Sequence, residues 1–203
     1  MSDKIQEYSW KAKKILKRKS IVVTGCSSGI GWETARVIKK LGGNVLGVDL
    51  KMTTDNVDEF YKADLSDKMT IDALIEALPK DIDGIANCAG LPPTSPAELV
   101  IKVNLVGLKY FTEQMIAKLS NGSSIVNLAS LAGFGWADSV AQIKESYNLD
   151  FHEVEEFVRR YGIDQEKGRS YFFTKEALIV WTMKQRWEWR DREIRMNSIS
   201  TGP

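Results

Sequence analysis

The sequence predicts an α/β protein built on a doubly wound parallel sheet, and three observations predict it. Compact apolar runs alternate with longer segments of helical period, as strands and crossover helices do along a chain. A glycine-rich turn, Gly25-x-x-x-Gly29-x-Gly31, separates the first such run from the first such segment. The 203 residues, 43% of them hydrophobic, fit a single domain with one substantial core.

Ile21, Val22 and Val23 form a short buried strand that leads straight into the glycine turn. A helix follows from Gly29, with Ile30, Thr34, Val37, Ile38 and Leu41 on one face, and Gly42 and Gly43 end it. Residues 45–48 make a second strand closed by Asp49, and a weaker third ends near Ala63 and Asp64. Residues 67–78 read as a helix that stops before Pro79, since the residue preceding a proline disfavours helical geometry. Residues 82–87 give a fourth strand, closed by Cys88, Ala89 and Gly90. Past a proline-containing loop, 91–96, a long helix runs to about Leu119, and residues 123–128 form a fifth strand. A helix from Tyr171 to about Trp189 and a sixth strand over 195–199 complete the pattern of a dinucleotide-binding sheet.

Between Ser130 and Tyr171, Asp150 and Glu153 have the spacing of a capping box. Phe151, Val154, Phe157, Val158 and Tyr161 follow at helical intervals, and Gly162 can terminate the helix. Its apolar stripe needs a cover, either its own domain or a second subunit, and the spacing favours neither.

The formal charge of +1 supplies no global field for nucleic acid or a membrane surface. Two isolated cysteines, Cys26 and Cys88, make no disulfide framework, which fits a reducing compartment. No apolar stretch approaches a membrane span and no signal-peptide core precedes the basic run 11–19, so a soluble, cytoplasmic protein is expected. That run, within an N-terminal extension 1–19, reads as a leader helix with solvated lysines and its apolar side packed on the domain. The single histidine, His152, lacks a partner set, so no metal site is expected.

The chemistry sits in two places. Gly25, Ser28, Gly29, Ile30 and Gly31 form a turn in which glycine lets backbone amides approach a pyrophosphate at a helix N-terminus. Asp49, 18 positions beyond Gly31, can accept hydrogen bonds from ribose hydroxyls and would repel a 2′-phosphate. Ser28 and Leu50 are uncharged, so NAD is expected over NADP, with Lys51 the one reservation. The second place is Tyr171 and Lys175, which share a helix face four residues apart. Reducing a ketone puts charge on oxygen that a placed acid must quench. A free phenol titrates near 10 and is a reluctant base at neutral pH; an adjacent ammonium favours the phenolate.

Taken together, Thr24-Gly25-x-x-x-Gly29-x-Gly31, Asp64-Leu65, Asn87-Cys88-Ala89-Gly90, Asn104, Ser130 and Tyr171-x-x-x-Lys175 resemble the classical short-chain dehydrogenase/reductase family across nearly the whole chain. The resemblance implies a catalytic tetrad of Asn104, Ser130, Tyr171 and Lys175, with Ser130 holding the substrate oxygen and Asn104 anchoring a water between Lys175 and solvent. It also implies that Asp64 and Leu65 meet the adenine, that Asn87, Ala89 and Gly90 support the cofactor wall, and that Tyr171 and Lys175 touch the cofactor. Ser130 and Tyr171 stand 41 positions apart, more than most relatives allow, which marks about 134–166 as a helical insertion between the fifth strand and the tyrosine helix. In this the chain is similar to the bacterial 3α-hydroxysteroid dehydrogenase/carbonyl reductase branch, whose inserted helices redirect dimerisation to another surface. Relatives also continue past the point where this sequence ends, so a C-terminal segment beyond Pro203 is expected. The implied function is hydride transfer between NAD(H) and a secondary alcohol or ketone, with 3-hydroxysteroids as the candidate substrate class, in a homodimer or other homo-oligomer. The alternative is a catalytically silent NAD(H)-binding regulatory or dimerisation module.

Overall fold

The computed structural model describes residues 15–202, so the predicted leader helix falls outside the described residues except at its end. Six strands form one parallel sheet in the order β3-β2-β1-β4-β5-β6. They are β1 (Ser20–Thr24), β2 (Asn44–Asp49), β3 (Glu59–Lys62), β4 (Ile82–Asn87), β5 (Leu119–Ser130) and β6 (Arg195–Thr201). Among the described residues no helix is long and apolar enough to cross a membrane.

Helix α1 (Gly29–Lys40) covers one face of the sheet. Its contact face differs from the one that apolar spacing predicts. Gly31, Ala35 and Ile38 are buried, whereas Ile30 and Val37 are 47% and 39% exposed. The reason is close approach: a Cβ on Gly31 would run into the carbonyl oxygen of Gly25, so the helix seats on its small residues. Ile30, Thr34 and Ile38 then border a cavity of about 530 Å³ that extends along this sheet face past Val126 and Leu128 to Ile199. The helix ends as expected at Gly42, whose φ is +85°. Gly42 donates to the Lys39 carbonyl and Gly43 to that of Ile38, the paired bonds of a Schellman turn.

The opposite face carries the larger core. Helix α2 (Lys68–Ala77) is capped by the Asp67 carboxylate, which accepts from the Met69 amide at 2.9 Å. The long helix after the prolines comprises α3 (Ala97–Ile101), a π-helical stretch (Lys102–Gly107) and α4 (Leu108–Met115). Within that stretch Gly107 abuts the carbonyl oxygen of Leu65, where a Cβ could not fit. Short helices α5 (Val140–Glu145) and α6 (Val154–Arg160) precede α7 (Arg169–Gln185). Val22, Leu46, Ile85, Phe111, Ile125, Leu178 and Trp181 anchor this core. Trp189 packs at its margin, whereas Trp187 is 64% exposed and belongs to neither core nor margin.

The open question about the stripe on α6 resolves in favour of its own domain. Phe151, Val154, Phe157 and Val158 are buried in the main core, and the Phe157 ring lies 5.5 Å from that of Phe173 on α7. Only half of the capping box forms: Glu153 Oε2 accepts from the Asp150 amide at 3.0 Å, while Asp150 Oδ1 accepts from its neighbour Phe151. Gly162, with φ +58°, and Ile163 close the helix through bonds to the Arg159 and Val158 carbonyls. Lys109 on α4 fixes the segment from the other side, its ammonium donating to the Ser146 and Tyr147 carbonyls at 2.7 Å each.

Candidate active site

Strand order reverses between β1 and β4, so the connections leaving their carboxyl ends diverge and open a crevice. The glycine turn forms its floor. Gly25, at φ +71°, donates to the Val48 carbonyl at 2.8 Å, and a Cβ there would stand 2.8 Å from the Ala89 backbone. Gly29, at φ +55°, faces open space instead. Thr24 holds the crevice's two sides at a fixed distance, its hydroxyl oxygen accepting from the amides of Cys88 (3.1 Å) and Ala89 (3.0 Å).

The resulting groove, about 400 Å³, gathers Gly25, Ser28, Gly29, Ile30, Gly31, Asp49, Asp64, Leu65, Ala89 and Gly90, all expected from the sequence. Its lining also includes Val48, Leu50, Ala63, Cys88, Leu91, Leu99, Val103 and Leu128, which no motif singled out as contacts. Asp49 closes β2 with its carboxylate accepting from the amides of Ser27 and Lys51, both at 3.0 Å. Asp64 Oδ1 accepts from the amide and hydroxyl of Ser66 at 2.8 and 2.7 Å.

Asn87, expected to support the cofactor wall, does not line the groove. It is 1% exposed, and its Nδ2 donates to Thr112 Oγ1 (2.9 Å) and Asn127 Oδ1 (2.8 Å). Asn127 Nδ2 in turn donates to Thr182 Oγ1 at 2.9 Å. This buried chain ties β4 and β5 to α4 and α7, beneath the groove rather than in it.

These residues fit a dinucleotide. Ser28 caps α1 without any side-chain hydrogen bond, and no acidic residue occupies the first turn, so the helix N-terminus presents its amides and positive end to an anion. Gly29 leaves the space above the turn clear. Apolar Val48, Ala63 and Leu65 line the groove between the two carboxylates, as a flat heterocycle requires.

None of the four residues expected to act on substrate lines this groove, Tyr171 and Lys175 included: Lys175 and Asn104 bond to its lining residues Leu128 and Leu91, and Ser130 borders a separate cavity with Leu131 and Ile179. Lys175 on α7 is 6% exposed; its ammonium donates to the Leu128 carbonyl at 2.6 Å and sits 5.5 Å from the centre of the Tyr171 ring. Burial pushes this ammonium down to about 8, with the neighbouring Cys88 acting in the opposite direction. The Cys88 thiol is itself pushed up by burial. Cys26, packed under the turn, is raised to about 11 by burial and the Asp49 charge, so it is a filler without thiolate character.

Ser130 ends β5, and its hydroxyl oxygen accepts from the Ala132 amide at 3.2 Å, which leaves the hydroxyl hydrogen to donate elsewhere. Asn104 is 1% exposed within the π-helical stretch. Its Oδ1 accepts from the Leu91 amide (2.7 Å) and its Nδ2 donates to the Leu91 carbonyl (3.0 Å). The side-chain amide thus holds the loop after β4, and these two bonds leave one amide hydrogen and one carbonyl lone pair unused. His152 is exposed, and among the described residues no cluster could hold a metal ion.

The family model described as short chain dehydrogenase matches residues 19–141. A coniferyl-alcohol dehydrogenase of Pseudomonas sp. (strain HR199 / DSM 7063) is 44% identical over 190 residues, 93% of this chain and 74% of that one. A 3-alpha-hydroxysteroid dehydrogenase/carbonyl reductase of Comamonas testosteroni is 26% identical, covering 90% of this chain and 71% of that one. Among solved structures, the 3-alpha-hydroxysteroid dehydrogenase from Pseudomonas sp. B-0831 complexed with NADH superposes with a TM-score of 0.77 at 22% identity, covering 91% and 72% of the two chains. With the glycine groove, the sheet order and the Tyr171–Lys175 pair in view, these likenesses establish that the chain belongs to the short chain dehydrogenase family.

Proposed function

We propose that this protein is an NAD(H)-dependent alcohol dehydrogenase or carbonyl reductase in which Tyr171 moves the proton. One observation carries the reading: the buried Lys175 ammonium stands between the Tyr171 ring and the Leu128 carbonyl at the wall of the glycine groove. When bound there, a nicotinamide would supply hydride to a carbonyl carbon or accept it from a carbinol carbon. In reduction, Tyr171 donates its hydroxyl proton to the carbonyl oxygen as charge builds there; in oxidation it takes that proton back. Lys175 stabilises the phenolate left behind. Ser130 donates a hydrogen bond to the same oxygen and fixes its position. Asn104 holds the loop after β4 against the site through Leu91.

The 44% identity with a coniferyl-alcohol dehydrogenase supports a primary aryl-allylic alcohol as the substrate class. A 3-hydroxysteroid, or another secondary alcohol, is the second reading, supported by the likeness to the Comamonas testosteroni enzyme. The chemistry at oxygen is the same for both. A panel of both alcohol classes with NAD and NADP, followed by NAD(P)H absorbance, tests the reading. Turnover of neither class with either cofactor overturns it in favour of a silent NAD(H)-binding module.

The preference for NAD rests on Asp49. Its carboxylate lines the groove at the end of β2, where a 2′-phosphate would bring like charges together. Asp49→Ala is therefore expected to raise the ratio of kcat/KM with NADP to that with NAD by about tenfold or more. An unchanged ratio would remove Asp49 from the selection.

A further inference from the structure

We infer that Arg169 and Glu176 are positioning residues that set the placement of Ser130 relative to Tyr171; the inference rests on the proposed function. The two hydroxyls lie on different elements, one at the end of β5 and the other on α7, 41 positions apart in the chain. Their relative placement depends on how the 3-10 segment Leu131–Ser139, which continues directly from Ser130, is held against α7.

Two features hold it. At Gly133 the segment meets α7 backbone to backbone, since a Cβ there would stand 2.8 Å from the Lys175 carbonyl oxygen. At its far end the Arg169 guanidinium makes a fork: Nη1 donates to Glu176 Oε1 at 3.0 Å, and Nη2 donates to Glu176 Oε2 at 2.9 Å and to Ser139 Oγ at 2.8 Å. Glu176 directly follows Lys175, and its side chain is only 6% exposed. Ser139 is 4% exposed. A carboxylate so far from water stays in place only while fully paired, and a planar fork orients its partners in a way a lysine cannot. The Arg169 guanidinium also lies 5.8 Å from the Phe173 ring, which limits its swing. The segment that begins at Ser130 is thus pinned near its start and at its end to the helix carrying Tyr171 and Lys175. A small misplacement of reacting groups is costly in rate.

Ser139→Ala removes only the hydroxyl that joins the segment to the fork, and Glu176→Gln keeps the shape but discharges the carboxylate. With the better substrate of the panel, each is expected to lower kcat about tenfold or more. NADH affinity, read by tryptophan quenching, is expected to stay within about twofold, because neither residue lines the glycine groove. Hydrogen–deuterium exchange of amides 131–139 is expected to quicken in both. Wild-type kcat in folded Ser139→Ala, with or without faster exchange, overturns the inference, and so does a kcat deficit that vanishes on cooling. If Glu176→Gln fails to fold, Ser139→Ala decides alone. Wild-type protein that turns over no alcohol defeats the proposed function and this inference together; active wild type with unaffected variants defeats this inference alone.

Discussion

Tyr171→Phe is expected to cut kcat about 10³-fold while NADH continues to quench tryptophan fluorescence with the wild-type Kd. The substitution keeps the ring that lies 5.5 Å from the Lys175 ammonium and removes only the oxygen that carries the proton. Nothing in the glycine groove is disturbed, because Tyr171 is absent from its lining. Stopped-flow mixing with cofactor and alcohol would show the lesion in the chemical step. Undiminished turnover would move the proton to another group and discard the assigned acid.

The second large effect separates stability from catalysis. Lys175 titrates at about 8 in the folded protein because burial disfavours its charge, against an ordinary 10.5. Between those values the unfolded chain binds a proton that the folded chain does not, so stability should rise with pH across that window. Below about 8 the cost of burying the ammonium is felt in full. Lys175→Met removes the charge and keeps most of the volume. It is expected to raise the unfolding free energy of the cofactor-free protein at pH 7 by about 1–3 kcal/mol and to abolish the rise toward pH 10.5. Turnover should fall by a factor comparable with that of Tyr171→Phe. In the wild type, kcat/KM for reduction should decline above about pH 8 as the ammonium that supports the phenolate is lost. Urea unfolding from pH 6 to 10 beside a pH–rate profile checks both halves. A variant less stable than the wild type at pH 7 would show that the ammonium's bond to Leu128 outweighs its burial.

What the sequence made legible were positions whose backbone demands or chemistry are residue-specific. Gly25 and Gly29 adopt left-handed φ values, and Gly31 seats a helix where no Cβ fits, so the turn could be read from glycine alone. Asp49 and Asp64 fell where strands end, and both line the groove. What escaped was contact made through backbone at long range. The Leu128 carbonyl that holds Lys175, and the Leu91 peptide that occupies Asn104, carry no side-chain signature. How Asn87 could brace the wall was hidden for a related reason: its amide turns inward to Thr112 and Asn127, neither of which belongs to a motif. The face of α1 shows the limit of hydrophobic periodicity, which weights Ile30 and Val37 by size, whereas packing on β1 selected Gly31 and Ala35 for their smallness. The ion pair of Arg169 with Glu176, seven residues apart on one helix, looks like two solvated charges until the turn from Ser130 is folded over it.

Gly107 stands against the carbonyl of Leu65, which lines the groove, with no room for a side chain between them, three residues after Asn104. A side chain at position 107 would therefore have to displace either the Leu65 edge of the groove or the π-helical stretch itself.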